Sequence, residues 1–140
     1  MSDTMLTLVD AEKLLSVARQ RAIELGVEVS AAVVDSGGHL IAFARMDGAE
    51  IAGPTLAIDK AYTAVAQSVS TAELAVLAAP GGPLFGLHAN GNGRYVIFAG
   101  GIPLRVDKKI VGGIGVSGGS IDEDAACAEA AEEAFNTAEN

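Results

Sequence analysis

The chain has 140 residues, half of them apolar, with 4% aromatic residues, no tryptophan and a formal charge of −9. That length suits one domain, 1–140, and the charge argues against nucleic acid or an anionic membrane as partner, since phosphate binding needs clustered Lys and Arg. A lone cysteine, Cys127, excludes an internal disulfide and any CxxC motif.

"MSDTMLTLVD" has no basic stretch before an apolar one, and no apolar run approaches a membrane span, so a cytoplasmic protein is expected. From Leu6 the pattern is helical: Leu8, Ala11, Leu14, Leu15, Ala18, Ala22 and Leu25 form one stripe. Thr7 and Asp10 have capping-box spacing, and Gly26 marks the end. Two strands follow, "VEVSAAVVD" and "HLIAFARM", joined through Ser36-Gly37-Gly38. Alternation in the second puts Leu40, Ala42, Ala44 and Met46 on one face and His39, Ile41, Phe43 and Arg45 on the other. Both faces are largely apolar, so both should be covered, by helices or by another subunit.

Pro54 suits the start of a helix in which Ile58, Tyr62, Val65 and Val69 recur at helical spacing. Ser70 and Glu73 cap a shorter helix that ends at Pro80-Gly81-Gly82-Pro83. Beyond the loop "HANGNG" come three strand candidates, "RYVIFA", "IPLRV" and "KIVGGIGV". A last helix opens with a third capping pair, Ser120 and Glu123. The order α-β-β-α-α-β-β-β-α lacks alternating βαβ units and predicts an α+β domain with a five-stranded antiparallel sheet flanked by helices.

Several residues carry chemistry. His39 leaves the hairpin turn as a general base, an iron ligand or merely a polar turn residue. His88 lies in a polar loop, where a solvated imidazole is expected. Arg45, two residues before Asp47, is either a rim ion pair or a clamp for a carboxylate. Lys60, in the small-residue turn "AIDKAYTAV", is solvated or a buried amine with a shifted pKa. "GVSGG" fits G-x-S-x-G, but both histidines precede Ser117 and antiparallel hairpins are the wrong scaffold for that triad. A better use for Ser117, Gly118 and Gly119 is to offer backbone N–H groups to an anion at a helix start, with Gly100 and Gly101 as a second wall. No protein-ligated metal motif such as HExxH occurs.

Taken together, "VVDSGGHLIAFARMDGA", "AIDKAYTAV", "FAGGIPL" and "KIVGGIGVSGGSIDED" closely resemble the GlcG/HbpS-like family, which includes the C-terminal domain of PduO-type proteins. The resemblance covers about residues 6–135. It implies a profilin-like α/β/α domain and a homo-oligomer of even subunit number. It also implies a shared pocket at Asp35, Gly37, Gly38, His39, Arg45, Asp47, Lys60, Gly100, Gly101, Pro103, Ser117, Gly118, Gly119 and Asp124. Some members bind haem, so a small carboxylated ligand at a subunit cleft, with haem as candidate cofactor and His39 as its contact, is the first expectation. Arg45, Asp47, Lys60 and the glycines would hold that ligand. The alternative is a metal-independent catabolic enzyme on an unsaturated hydroxy acid of hydroxymuconate type, a tautomerase, hydratase or dehalogenase, using His39, Lys60 and Arg45.

Overall fold

The computed structural model describes residues 5–139. The reading of residues 1–4 and a helix end at Asn140 fall outside that range. Helix α1 (Leu8–Leu25) leads into β1 (Ser30–Asp35), β2 (Leu40–Arg45), α2 (Gly53–Gln67) and α3 (Thr71–Leu77). Two short 3-10 turns, Leu87–Ala89 and Gly91–Gly93, precede β3 (Gly101–Val106), β4 (Lys109–Ser117) and α4 (Ile121–Glu139). No helix among the described residues is long and apolar enough to cross a membrane.

Local chemistry sets the helix ends. Thr7 Oγ1 accepts from Asp10 N at 3.1 Å while Asp10 Oδ2 accepts from Thr7 N, and Gly26 closes α1 in the left-handed conformation. Ser120 and Glu123 form the same reciprocal pair at the start of α4.

The sheet is antiparallel in the order β2-β1-β4-β3, four strands rather than the expected five. The candidate strand "RYVIFA" is irregular instead. The hydroxyl of Thr63 on α2, not a neighbouring strand, accepts from Val96 N at 3.0 Å, so the segment is bonded to a helix. Beta-branched and aromatic residues there serve packing without a ladder.

Helices α1 and α4 cover one sheet face, burying Leu14, Ala18, Ala31, Val33, Ile114, Val116, Ala128 and Phe135 together. Helix α2 covers the other. It packs so close that a methyl on Gly115 would meet the backbone of Ala57 and Ala61, and one on Gly101 the backbone of Lys60. Bare strand positions thus replace bulk in a chain poor in aromatics.

A bulge corrects the expected faces of β2. Val33 pairs with Ala42 but Val34 pairs with Leu40, so the ladder skips Ile41. Cross-strand partners share a face, which places Leu40 with Phe43 and Arg45, away from Ala42 and Ala44. Ile41, Ala42, Ala44 and Met46 pack toward the α1/α4 core, while Leu40 remains 49% exposed.

Candidate functional site

The motif residues divide among three places. The first is a buried node beneath α2. Lys60, 1% exposed, donates from Nζ to Val116 O at 2.9 Å and to Asp124 Oδ2 at 3.0 Å. The other oxygen of Asp124 accepts from Gly119 N at 2.8 Å. Gly100 belongs here too, because a methyl on it would stand 2.7 Å from Lys60 Nζ. Lys60, Gly100, Gly101, Ser117, Gly118, Gly119 and Asp124 therefore do gather, around an internal ion pair. Burial pushes the Lys60 amine below its ordinary pKa, with Asp124 and Glu50 pulling it back. Burial pushes the Asp124 carboxyl up, against the pull of Lys60 and the Gly119 and Gly118 amides.

His39, Arg45 and Asp47 stand apart from that node. At the hairpin tip, Asp35 Oδ1 accepts from the backbone N–H of Gly37 and of His39, both at 2.9 Å, and faces His39 Nδ1 at 3.3 Å. Burial acts to raise the Asp35 pKa, but those backbone bonds and the imidazole together hold it below the usual range. The His39 side chain is 82% exposed. Arg45 donates to Ala49 O at 3.3 Å and, with Asp47, Arg19, Ala44 and Met46, lines a separate open cleft of about 330 Å³.

A further cleft, which holds none of those motif residues, was not legible as a site. The segment that fails to become a strand walls an apolar cleft of about 410 Å³, lined by Leu56, His88, Gly93, Tyr95, Val96, Ile97 and Phe98. Leu56 comes from α2. The others come from the irregular stretch that Thr63 ties down through Arg94 O (3.1 Å) and Val96 N. Lys60 Nζ sits 5.1 Å from the Phe98 ring centroid, so the buried node touches one cleft wall from within. Beside the cleft, Arg94 donates from Nε to Asp59 Oδ1 at 2.9 Å, with its guanidinium carbon 3.8 Å from the Tyr62 ring centroid. The only sequence signal was an apolar run directly after a glycine-rich loop carrying a histidine.

Chemically, the node is closed to solvent and holds elements together. The open cleft presents mostly apolar surface with one imidazole, from His88, and one phenol, from Tyr95. Among the described residues no three His, Cys, Asp or Glu side chains are grouped to hold a metal ion.

The family model described as "Haem degrading protein HbpS-like" matches residues 6–133. A 15.0 kDa protein from the dhaT-dhaS intergenic region of Citrobacter freundii is 37% identical over 131 residues, covering 94% of this chain and 92% of that protein. The corrinoid adenosyltransferase PduO of Salmonella typhimurium is 39% identical over 127 residues, 91% of this chain but 38% of PduO. The crystal structure of a PduOC–heme complex superposes with a TM-score of 0.91 at 38% identity, covering 95% of this chain and 96% of that one.

Proposed function

We propose that this chain, which belongs to the HbpS-like family, is a small-ligand-binding protein whose ligand is haem or a related planar, carboxylated molecule. The relative solved with heme supports the ligand class. The observation that carries the reading is the cleft of about 410 Å³, mostly apolar, with the His88 imidazole and the Tyr95 phenol on its lining. Its size falls within the roughly 300–1,000 Å³ of ordinary ligand pockets. Its composition fits a flat macrocycle: Leu56, Val96 and Phe98 would pack on the ring and His88 would face the metal. When bound, haem would supply an iron that an imidazole nitrogen such as that of His88 could hold. His39 is the weaker candidate, because its imidazole stands in solvent with Asp35 and no apolar wall.

Exposed Ile51 (98%), Phe85 (63%) and Leu40 (49%) are apolar surface that a second copy would cover, and an even-numbered homo-oligomer is part of the same proposal. Sedimentation with and without ligand checks it. The enzyme reading needs Lys60, His39 and Arg45 around one substrate. Lys60 lies in a closed ion pair, and no observation favours that reading.

The test is a hemin titration followed in the Soret band for the wild-type chain, His88→Ala and His39→Ala. A saturable shift lost in His88→Ala supports the cleft. A loss confined to His39→Ala moves the ligand to the hairpin tip, and no saturable shift overturns the proposal.

A further inference from the structure

Arg94 is not among the residues that line the cleft, yet its side chain is held in a particular way. Nε is committed to Asp59 Oδ1 at 2.9 Å, and the guanidinium plane rests on Tyr62, 3.8 Å from the ring centroid. Tyr62 is itself stacked on Tyr95, with centroids 6.3 Å apart and planes 10° from parallel. The backbone is fixed as well, since Arg94 O accepts from Thr63 Oγ1. The two terminal nitrogens have no hydrogen-bond partner among the described residues, and the side chain is 39% exposed. A guanidinium gripped at Nε and stacked on one face has little rotamer freedom left to lose. Its two outer N–H groups match the spacing of a carboxylate.

Position links this fork to the cleft. Gly93 and Tyr95, the neighbours of Arg94, both line it. Leu56, on the cleft floor, and Asp59, which holds the guanidinium, are three residues apart on α2 and so lie on one helix face about one turn, roughly 5 Å, apart. A flat ligand seated on Leu56 would present a short acidic arm to Arg94. The other cation beside this cleft, Lys60, is already paired with Asp124 and is 1% exposed.

Resting on the ligand reading above, we infer that Arg94 is the specificity-determining residue of the cleft, selecting ligands that carry a carboxylate arm. Tyr62 and Asp59 position it. The shape of the cleft admits the apolar body, and Arg94 discriminates among bodies of equal shape.

The experiment compares hemin with hemin dimethyl ester, whose iron and ring are the same but whose acids are masked. Both are titrated into the wild-type chain, Arg94→Met and Arg94→Lys. Wild type should bind the ester about tenfold more weakly than hemin, the scale of one charge-assisted contact. Arg94→Met should bind both ligands equally, at the affinity of the wild type for the ester. Arg94→Lys should recover only part of the preference, because an ammonium neither stacks nor forks. Equal binding of acid and ester by the wild-type chain overturns the inference and leaves the ligand reading standing. This arm involves no substitution, so misfolding of a variant does not blunt it. A preference retained in Arg94→Met also overturns it, and binding of neither compound removes the ligand reading and this inference together.

Discussion

Lys60 Nζ lies 3.0 Å from Asp124 Oδ2, although 64 residues separate the two in sequence and neither side chain is more than 5% exposed. Removing one charge from such a pair strands the other in a medium that cannot solvate it, at a cost of about 3–5 kcal/mol. Lys60→Met should therefore be strongly destabilised in urea. Lys60→Met combined with Asp124→Asn should regain much of the loss, because asparagine still accepts from Gly119 N and leaves no charge behind. A double variant as unstable as Lys60→Met would show that the pair matters through shape rather than charge.

The seat of α2 on the sheet rests on Gly115. A methyl there would collide with the backbone of Ala57 and Ala61, atoms that no rotamer change can move. Gly115→Ala should cost about 2 kcal/mol or more, roughly 6 °C in Tm. Gly26→Ala meets nothing within 4 Å and serves as control, its penalty arising from the left-handed backbone alone. Equal losses in the two variants would contradict the close packing of α2.

Burial raises the Cys127 thiol to about 11, and nearby Asp124 adds to the shift. Native protein at pH 8 should resist thiol reagents and react once unfolded by guanidinium. The linkage has a definite sign. Between the ordinary value near 9.0 and about 11, the unfolded thiol loses its proton before the folded one does. Its contribution is full below pH 9 and lost as pH rises toward 11. The stability advantage of wild type over Cys127→Ala should shrink across that window; a constant difference would refute the shift.

Thr63 holds the irregular wall of the cleft. Its single O–H is shared between the carbonyl oxygens of Asp59 (2.7 Å) and Arg94 (3.1 Å), and its oxygen accepts from Val96 N. Thr63→Val keeps the shape but leaves the buried Val96 N–H unpaired, costing about 1–3 kcal/mol. Hydrogen exchange at Val96 should quicken and hemin affinity should fall, while Thr63→Ser retains both. Unchanged exchange in Thr63→Val would show that the segment is held by packing alone.

Where structure is fixed by neighbours in the chain, the sequence was readable. The capping pairs Thr7/Asp10, Ser70/Glu73 and Ser120/Glu123 stand at three helix starts, as their spacing suggests. The hairpin through Gly37-Gly38 and the strand pairs also follow from local pattern. What failed depended on distant partners. "RYVIFA" has strand composition, but its amide at Val96 meets a helix hydroxyl 33 residues away. The bulge at Ile41 moves Leu40 to the opposite face, and one skipped residue leaves no mark on an alternating pattern. Lys60 was ambiguous because the carboxylate that neutralises it lies on another helix. The motif residues looked like one site, yet they split among a closed node, the hairpin tip and an open cleft at the far end of β2, since shared pattern does not encode separation in space.

The hold that Thr63 exerts on residues 94–96 has a consequence for how such a protein can change. Bonds to α2, from the Thr63 hydroxyl and from Asp59, rather than rungs of the sheet, fasten the segment that walls the cleft, so the sheet and the cleft wall have separate attachments. None of residues 84–98 takes part in a strand register. Changes in that stretch of loop can thus reshape the cleft while the ladder of the sheet stays as it is.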